Sequence, residues 1–234
     1  MTNLPAILRL PLIASQALWV GARATRLPEA AGPRQGQAGE GPRLRLLILG
    51  DSSAAGVGVD HQDQALSGQL VTRLAPVHAV QWHLWAQSGA TSSAALRMLA
   101  GQTTRSIDVA VLALGVNDVK NGVHITRWQA NYRQVINVLK TRFDVRHICA
   151  SGVPPLGSFP LLPQPLRAVL GARVARFDAA LADICATTRG VVHMPFDMAL
   201  DPELVAADGF HPSAALYDIW AKRTAAAIRA HPLL

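Results

Sequence analysis

The 234-residue sequence has only two cysteines, Cys149 and Cys185, far apart in the chain. Each lies in an apolar run, "HICAS" and "ADICAT", and their spacing matches no metal-ligand pattern. We therefore expect two buried free thiols, although the sequence alone leaves a disulfide open. The chain also lacks an internal repeat of roughly 20–50 residues, which excludes repeat architectures. Its length and its 50% hydrophobic content suit one substantial α/β domain and exclude a disordered chain.

Motifs of several catalytic and nucleotide-binding classes are missing as well. No serine has glycine both two residues before and two residues after it, so the nucleophile elbow of α/β-hydrolases is absent. The sequence has no Walker A loop and no His-Glu-x-x-His, and "GVGVDH" lacks the third glycine of a dinucleotide fingerprint. None of the eight histidines has partners at metal-ligand spacing. We expect no cofactor and no metal.

Acidic residues are in deficit, and the net charge is +7. Residues 1–45 hold six arginines and two acidic residues, whereas the rest of the chain holds sixteen basic and thirteen acidic residues. In the body the basic residues are scattered singly along helical patterns, with no nucleic-acid recognition motif. We therefore expect no nucleic-acid partner.

No apolar run is long enough to span a bilayer. In "LPAILRLPLIASQALWVGARATR" the longest uncharged run covers thirteen residues, 10–22, and a membrane-spanning helix needs about 20. No basic residue precedes the apolar segment as a whole, which begins at Leu4 and is interrupted by Arg9, although Ala22-Arg23-Ala24 resembles a signal cleavage site. An interfacial anchor, an atypical signal sequence and a helix packed on the catalytic domain all stay open.

We favour the anchor, because Arg23 and Arg26 follow the apolar run and could meet lipid phosphates. This predicts peripheral membrane contact through residues 4–26, and a cytoplasmic or peripheral-membrane location rather than secretion. Seven of the fifteen residues in 28–42 are Gly or Pro, which predicts a linker without regular structure. The domain prediction is therefore a helix in 1–27, a linker in 28–42 and a folded domain in 43–234.

From residue 43 onward, short apolar runs alternate with helical patterns. The pattern predicts strands at 44–50, 79–87, 107–115, 146–154 and 190–196, and helices near 64–74, 93–100, 128–142, 164–187 and 213–230. Continuous apolar strands alternating with helices indicate a parallel sheet covered on both faces. We therefore predict a three-layer α/β/α sandwich with a central five-stranded parallel sheet, whose ligand crevice lies at the carboxyl ends of the strands.

Polar loops fall at this same sheet edge. "GDSSAAGVG" follows the first strand, "QSGATSS" the second and "LGVNDV" the third, and "DGFHPS" precedes the last helix. Singly, each loop is equally typical of an ordinary turn or helix cap. Together they place a serine, a glycine, an asparagine and a histidine along one edge, in that order.

These four ordered blocks resemble the SGNH/GDSL hydrolases, over most of the chain from about residue 44 to residue 230. The resemblance implies a flavodoxin-like fold and a carboxylic ester hydrolase that works through an acyl-enzyme. It implies Ser52 as nucleophile, His211 as base and Asp208 as the acid that orients it. It assigns the oxyanion hole to the Ser52 and Gly89 backbone N–H groups and the Asn117 amide. The residue after the nucleophile is Ser53, where the family name implies leucine.

In this interpretation Asp51 is not the triad acid and instead fixes its loop through hydrogen bonds. The proline-rich apolar stretch 151–171 should overhang the active-site edge, which suits an acyl chain and favours an esterase or lysophospholipase. Its leucines could equally pack onto the domain. Two alternatives stay open: an O-deacetylase of carbohydrate or peptidoglycan on the same fold, and a non-catalytic lipid-binding module. The resemblance implies a small-molecule or lipid ester as substrate, and the sequence does not identify the residues that bind it.

Overall fold

The computed structural model describes residues 6–23, 25–159, 161–198 and 201–230, with the backbone alone at 6–9. Residues 4 and 5 of the predicted membrane segment, and Ala24 of the cleavage-site pattern, lie outside the described residues. The helices of the described chain are α1 Ala6–Arg23, α2 Leu66–Leu74, α3 Ser92–Ala100, α4 Val116–Lys120, α5 Ile125–Arg142, α6 Leu166–Ala186 and α7 Ala214–Arg229. The strands are β1 Gln35–Ala38, β2 Arg43–Gly50, β3 Ala79–Ala86, β4 Val109–Ala113, β5 His147–Ser151 and β6 Val191–Met194.

One six-stranded sheet runs in the order β1-β3-β2-β4-β5-β6. The five strands β2 to β6 are parallel to one another, which confirms the predicted α/β architecture. The prediction of five strands is one too few, because β1 pairs antiparallel with β3 at the sheet edge.

Successive β2 side chains point to opposite faces of the sheet, and each face has its own apolar core. Leu47 and Leu49 belong to the core shared with α3, α5 and α6. Leu46 and Ile48 belong to the core shared with α2 and α7. All four side chains are buried, each contributing about 1.5–3 kcal/mol relative to an exposed side chain. The result is the predicted three-layer sandwich, with the carboxyl ends of β2 to β6 at one edge.

The segment 28–42 is not the structureless linker that its Gly and Pro content predicts. Ala31 forms a bridge with His61, and β1 pairs with β3 from Gln35↔His83 to Ala38↔Val80. The strand "QGQA" has no apolar alternation, because it lies at the edge and is held by its backbone. A pattern that depends on buried side chains therefore cannot predict it.

Helix α1 packs on the body through one narrow stripe. Ile13 and Val20 contact the core shared with α6, and Gln16 hydrogen bonds the Gln164 carbonyl and the Leu166 N–H at 2.6 and 3.0 Å. The remaining faces are apolar but exposed, with Leu18 at 75% and Trp19 at 49% exposure. The helix thus contacts its own protein and still presents apolar surface to its surroundings. No helix in the described ranges is long and apolar enough to cross a membrane.

Candidate active site

The loop that carries Ser52 turns sharply at the end of β2. Gly50 is required there, because a Cβ would lie 2.6 Å from the Ala54 Cβ and 2.7 Å from the Ala113 carbonyl oxygen. Asp51 is buried, and its Oδ1 accepts hydrogen bonds from the Ser53 N–H at 3.0 Å and the Ser53 hydroxyl at 2.8 Å. Burial raises the pKa of Asp51, and the Ser53 hydrogen bonds offset part of that rise. Asp51 thus fixes the loop, as the sequence predicts.

Ser52, His211 and Asp208 form an unbroken hydrogen-bonded chain. The Ser52 Oγ lies 2.9 Å from the His211 Nε2, and the His211 Nδ1 lies 2.5 Å from the Asp208 Oδ2. Ser52 follows the end of β2, and the other two come from the loop before α7, where His211 is 159 residues further along the chain. The fold therefore brings together the three residues that the sequence singles out.

The Asp208 carboxylate is held in one orientation by its own loop. Its Oδ1 accepts from the backbone N–H groups of Phe210 and His211 at 3.0 and 2.9 Å. Burial acts to raise the pKa of Asp208, but the hydrogen bonds from His211 and from the two N–H groups outweigh it and lower the pKa. Asp208 is therefore ionised at neutral pH and can accept from the His211 Nδ1–H.

The backbone N–H groups of Ser52 and Gly89 lie on the loops that follow β2 and β3, at the same edge of the sheet. In the described part of the chain, neither the Ser52 N–H nor the Gly89 N–H donates to a protein acceptor. Gly89 has a φ of +79°, which favours glycine, and a Cβ there would meet nothing within 4 Å. Backbone conformation, rather than crowding by the protein, therefore explains the glycine.

Asn117 lies at the start of α4 with its side chain directed to the same edge. Its Nδ2 donates to the Ala90 carbonyl at 3.0 Å and, more weakly, to the Asp51 Oδ2 at 3.3 Å. These contacts link the three loops that follow β2, β3 and β4. An incoming oxyanion could replace the longer of the two hydrogen bonds.

Two supporting residues escaped the sequence interpretation. Asp118 accepts from the Ser92 N–H and hydroxyl at 2.9 and 2.6 Å, which joins α4 to the start of α3. The Tyr217 hydroxyl lies 2.8 Å from both the Ser53 and the Val57 carbonyl oxygens and shares its one proton between them, which ties α7 to the Ser52 loop. The only signal for Asp118 is its place beside Asn117, and nothing local distinguishes Tyr217 from a core aromatic residue.

An apolar cavity opens beside Ser52. It is walled by the carboxyl ends of β4 to β6, the segment after β5, and α7, with the large apolar side chains Leu114, Phe159, Met194, Phe196, Leu216 and Trp220. In the stretch 151–171 the leucines Leu156, Leu162 and Leu166 are buried in the core. Pro154 and Phe159 line the cavity instead, and residue 160 lies outside the described residues.

Both cysteines are buried and free. Burial raises the pKa of Cys149 to about 12 and, together with Asp178, that of Cys185 to about 11, so both are thiols at neutral pH. Among the described residues, no group of three or more His, Cys, Asp or Glu side chains could hold a metal ion.

A mostly parallel sheet between two helical layers, with Ser, His and Asp linked at its carboxyl edge, is the architecture of the SGNH/GDSL hydrolases. The chain belongs to the GDSL-like lipase/acylhydrolase family, whose family model matches residues 48–219. The resemblance stated from the four sequence blocks is thereby confirmed. Membership supports a hydrolase that acts on esters.

Individual relatives agree with this family. A GDSL-like esterase of Mycobacterium tuberculosis is 27% identical over 210 residues, covering 80% of this chain. The chain spans about 62% of that relative's length. A lipase from a goat rumen metagenome shares the fold with a TM-score of 0.64 and 17% identity, over 79% of this chain and 97% of its own. An acetylxylan esterase from Geobacillus stearothermophilus has a TM-score of 0.57 and 18% identity, over 79% and 94%.

Proposed function

We propose that this chain is a serine hydrolase that cleaves carboxylic esters through an acyl-enzyme. The observation that carries the proposal is the hydrogen-bonded chain from Asp208 through His211 to Ser52 beside an apolar cavity. A neutral serine hydroxyl is a weak nucleophile and needs an adjacent base. His211 Nε2 is within hydrogen-bond reach of that hydroxyl, and Asp208 fixes the tautomer and stabilises the imidazolium that forms.

In the proposed reaction, His211 takes the Ser52 proton while the Ser52 Oγ attacks the ester carbon. The oxyanion accepts from the Ser52 and Gly89 N–H groups and from the Asn117 amide. Collapse of the tetrahedral intermediate breaks the ester bond, and His211 passes its proton to the leaving alcohol. Water then attacks the acyl-enzyme, with His211 again acting as base, and the carboxylic acid leaves. These steps use only residues of this chain, so we expect turnover to survive chelation with EDTA.

The cavity lining favours an acyl chain over a sugar. Its walls beside Ser52 are mainly Leu, Met, Phe and Trp side chains, which bury hydrocarbon. This supports the esterase or lysophospholipase type. The O-deacetylase alternative is supported by the acetylxylan esterase that shares the fold. An acetyl group would fill little of the cavity, so we place this alternative second.

A rate profile tests the proposal and separates the alternatives. We expect p-nitrophenyl esters with acyl chains longer than acetyl to be hydrolysed with higher kcat/KM than p-nitrophenyl acetate and acetylated xylan. Ser52→Ala should abolish the rates while leaving the circular dichroism spectrum unchanged. A preference for acetylated sugars would favour the O-deacetylase. No Ser52-dependent rate on any ester would overturn the proposal and favour a non-catalytic lipid-binding module.

A further inference from the structure

The loop that carries Gly89 is held from outside the residues that the family model matches. Glu29 Oε1 accepts the Ser88 N–H at 2.7 Å, one residue before Gly89. Glu29 Oε2 accepts from an Arg34 N–H at 2.7 Å, and a second Arg34 N–H donates to the Ala86 carbonyl at the end of β3. The Glu29–Arg34 pair thus holds both the strand end and the loop that follows it.

The backbone around this pair is itself anchored. The Leu84 N–H donates to the Arg34 carbonyl at 2.7 Å, and Gln35, the residue after Arg34, begins β1. Ala30 is buried, and its carbonyl accepts from the Gln62 side chain at 3.1 Å. Glu29 and Arg34 are therefore presented by fixed backbone. The opposing charges are only 30% and 38% exposed, so the bridge is better shielded than a pair in open solvent.

The Gly89 loop has little else to hold it at its tip. Gln87, Ser88 and Gly89 are all exposed, and a Cβ at Gly89 would touch no protein atom. The Ala90 N–H bonds the Gln87 carbonyl within the loop, and the Asn117 amide holds the Ala90 carbonyl from the far side. On the near side the Gln87 N–H donates to the Gly50 carbonyl at 3.2 Å, and the Ser88 N–H, next to Gly89, donates to Glu29.

We infer that Glu29 and Arg34 are positioning residues for the oxyanion hole, an inference that rests on the proposed function. An oxyanion donor stabilises the transition state only where its N–H points at the developing charge. Glu29 holds the Gln87–Ser88 peptide, which directly precedes the Ser88–Gly89 peptide that carries the Gly89 N–H, and so it restrains the direction of that N–H. The segment 28–42 is then part of the active site rather than a spacer in front of it.

Kinetics of Glu29→Ala test the inference, with Glu40→Ala as the matched control, since Glu40 is an exposed glutamate of the same segment. Active-site titration with an organophosphate gives the concentration of competent enzyme, so rates are compared per titrated site. We expect Glu29→Ala to lower kcat on p-nitrophenyl butyrate about tenfold, with KM little changed, because a misplaced donor weakens mainly the transition state. The Ki of a trifluoromethyl ketone, which forms the tetrahedral adduct, should rise by a similar factor.

Further variants separate positioning from general stability. Glu29→Gln keeps an oxygen that can accept the Ser88 N–H, so it should recover most of the kcat. If the two residues act as a unit, the double variant Glu29→Ala/Arg34→Ala should have a kcat close to that of Glu29→Ala alone. Equal kcat per titrated site in wild type and Glu29→Ala would overturn the inference while leaving the proposed hydrolase intact. Absence of Ser52-dependent turnover in wild type would instead overturn both.

Discussion

Asn117 combines a structural contact and a proposed catalytic one in a single amide. It is buried, and its Nδ2 bonds the Ala90 carbonyl and the Asp51 carboxylate. If it also donates to the oxyanion, Asn117→Ala should lower kcat by about 10²–10³, the usual effect of losing one such donor. The measurement is kcat and KM on p-nitrophenyl butyrate, with thermal unfolding to record the structural part.

Asn121→Ala is the control, because Asn121 is an exposed asparagine just past the end of α4. It should leave both kcat and the melting temperature near the wild-type values. If Asn117→Ala lowers the melting temperature while kcat per folded molecule stays at the wild-type value, the amide only links the loops, and the oxyanion role is wrong.

At the residue scale, the sequence predicts the residues proposed to take part directly in the reaction. Ser52, Asp208 and His211 stand in polar loops at the ends of apolar runs, so pattern and family resemblance find them. Glu29 and Tyr217 act through contacts with residues 59 and 164 positions away, respectively. Such contacts depend on the completed fold, and no local pattern marks them.

Among the elements, α7 supports the Ser52 loop through one hydroxyl. Tyr217→Phe leaves the carbonyls of Ser53 and Val57 without their donor, so we expect a loss of about 1–3 kcal/mol in the free energy of unfolding. Urea denaturation measures it. We also expect a lower kcat, because the same loop carries the nucleophile.

Tyr132→Phe is the matched control on α5. The Tyr132 hydroxyl is buried and has no hydrogen-bond partner among the residues that the structure describes. Its removal should therefore be neutral or slightly stabilising. If both variants lose the same free energy of unfolding, the loss comes from the surroundings of the ring and not from the Tyr217 hydrogen bonds.

The N-terminal elements separate into two functional parts, which two deletions distinguish. Removing residues 1–27 takes away α1 but keeps Glu29, Arg34 and β1. We propose that α1 rests on a lipid surface through its exposed apolar faces, with Arg23 and Arg26 adding roughly 1 kcal/mol each on anionic lipid. The protein that lacks residues 1–27 should therefore no longer sediment with anionic vesicles, but it should still hydrolyse a soluble short ester.

Removing residues 1–42 should also collapse the soluble-ester rate, because β1 and the Glu29 contact with Ser88 go with it. The domain boundary at residue 43, taken from the sequence, is thus a poor place to cut. Unchanged vesicle sedimentation after deletion of 1–27, with a lost soluble-ester rate, would instead make α1 a packed part of the catalytic domain and contradict the lipid contact.

For the whole molecule, the ion pair between Arg45, near the start of β2, and Asp108 links stability to pH. Asp108, just before β4, accepts from the Arg45 backbone N–H at 2.8 Å and from its guanidinium at 2.9 and 2.5 Å. Burial acts to raise the Asp108 pKa, but the Arg45 hydrogen bonds and charge outweigh it, and the pKa is lowered. A lowered pKa gives stability that is present above the unfolded-state value of about 4 and is lost as pH falls through the folded-state value.

We therefore expect Asp108→Asn to lower the free energy of unfolding by about 2 kcal/mol at neutral pH, as for a hydrogen bond between charged groups. The difference in the free energy of unfolding between the variant and wild type should narrow at about pH 3. At that pH the wild-type Asp108 carboxylate is protonated in the unfolded chain and increasingly in the folded one. Urea denaturation at both pH values measures this. Asp183→Asn, at an exposed position on α6, is the control. A gap of equal size at both pH values would show that the ion pair is not its cause.

The architecture of the whole molecule is the part that the sequence predicts best. Five apolar strands alternating with helices leave few choices for a buried parallel sheet, and all five are present. The sixth strand, β1, is polar and lies at an edge, where backbone pairing requires no apolar side chains. Sequence patterns therefore predict the buried strands and helices but not the polar edge strand β1.

The most direct test of the central claim, that Ser52 is a nucleophile activated by His211, is covalent labelling followed by mass spectrometry. Diethyl p-nitrophenyl phosphate should add one diethylphosphoryl group to wild type, on the Ser52 hydroxyl, with complete loss of ester hydrolysis. Ser52→Ala should take up no label. His211→Gln should react far more slowly, because the Ser52 hydroxyl then lacks a base. Labelling of Ser53, or undiminished labelling of Ser52→Ala, would contradict the assignment.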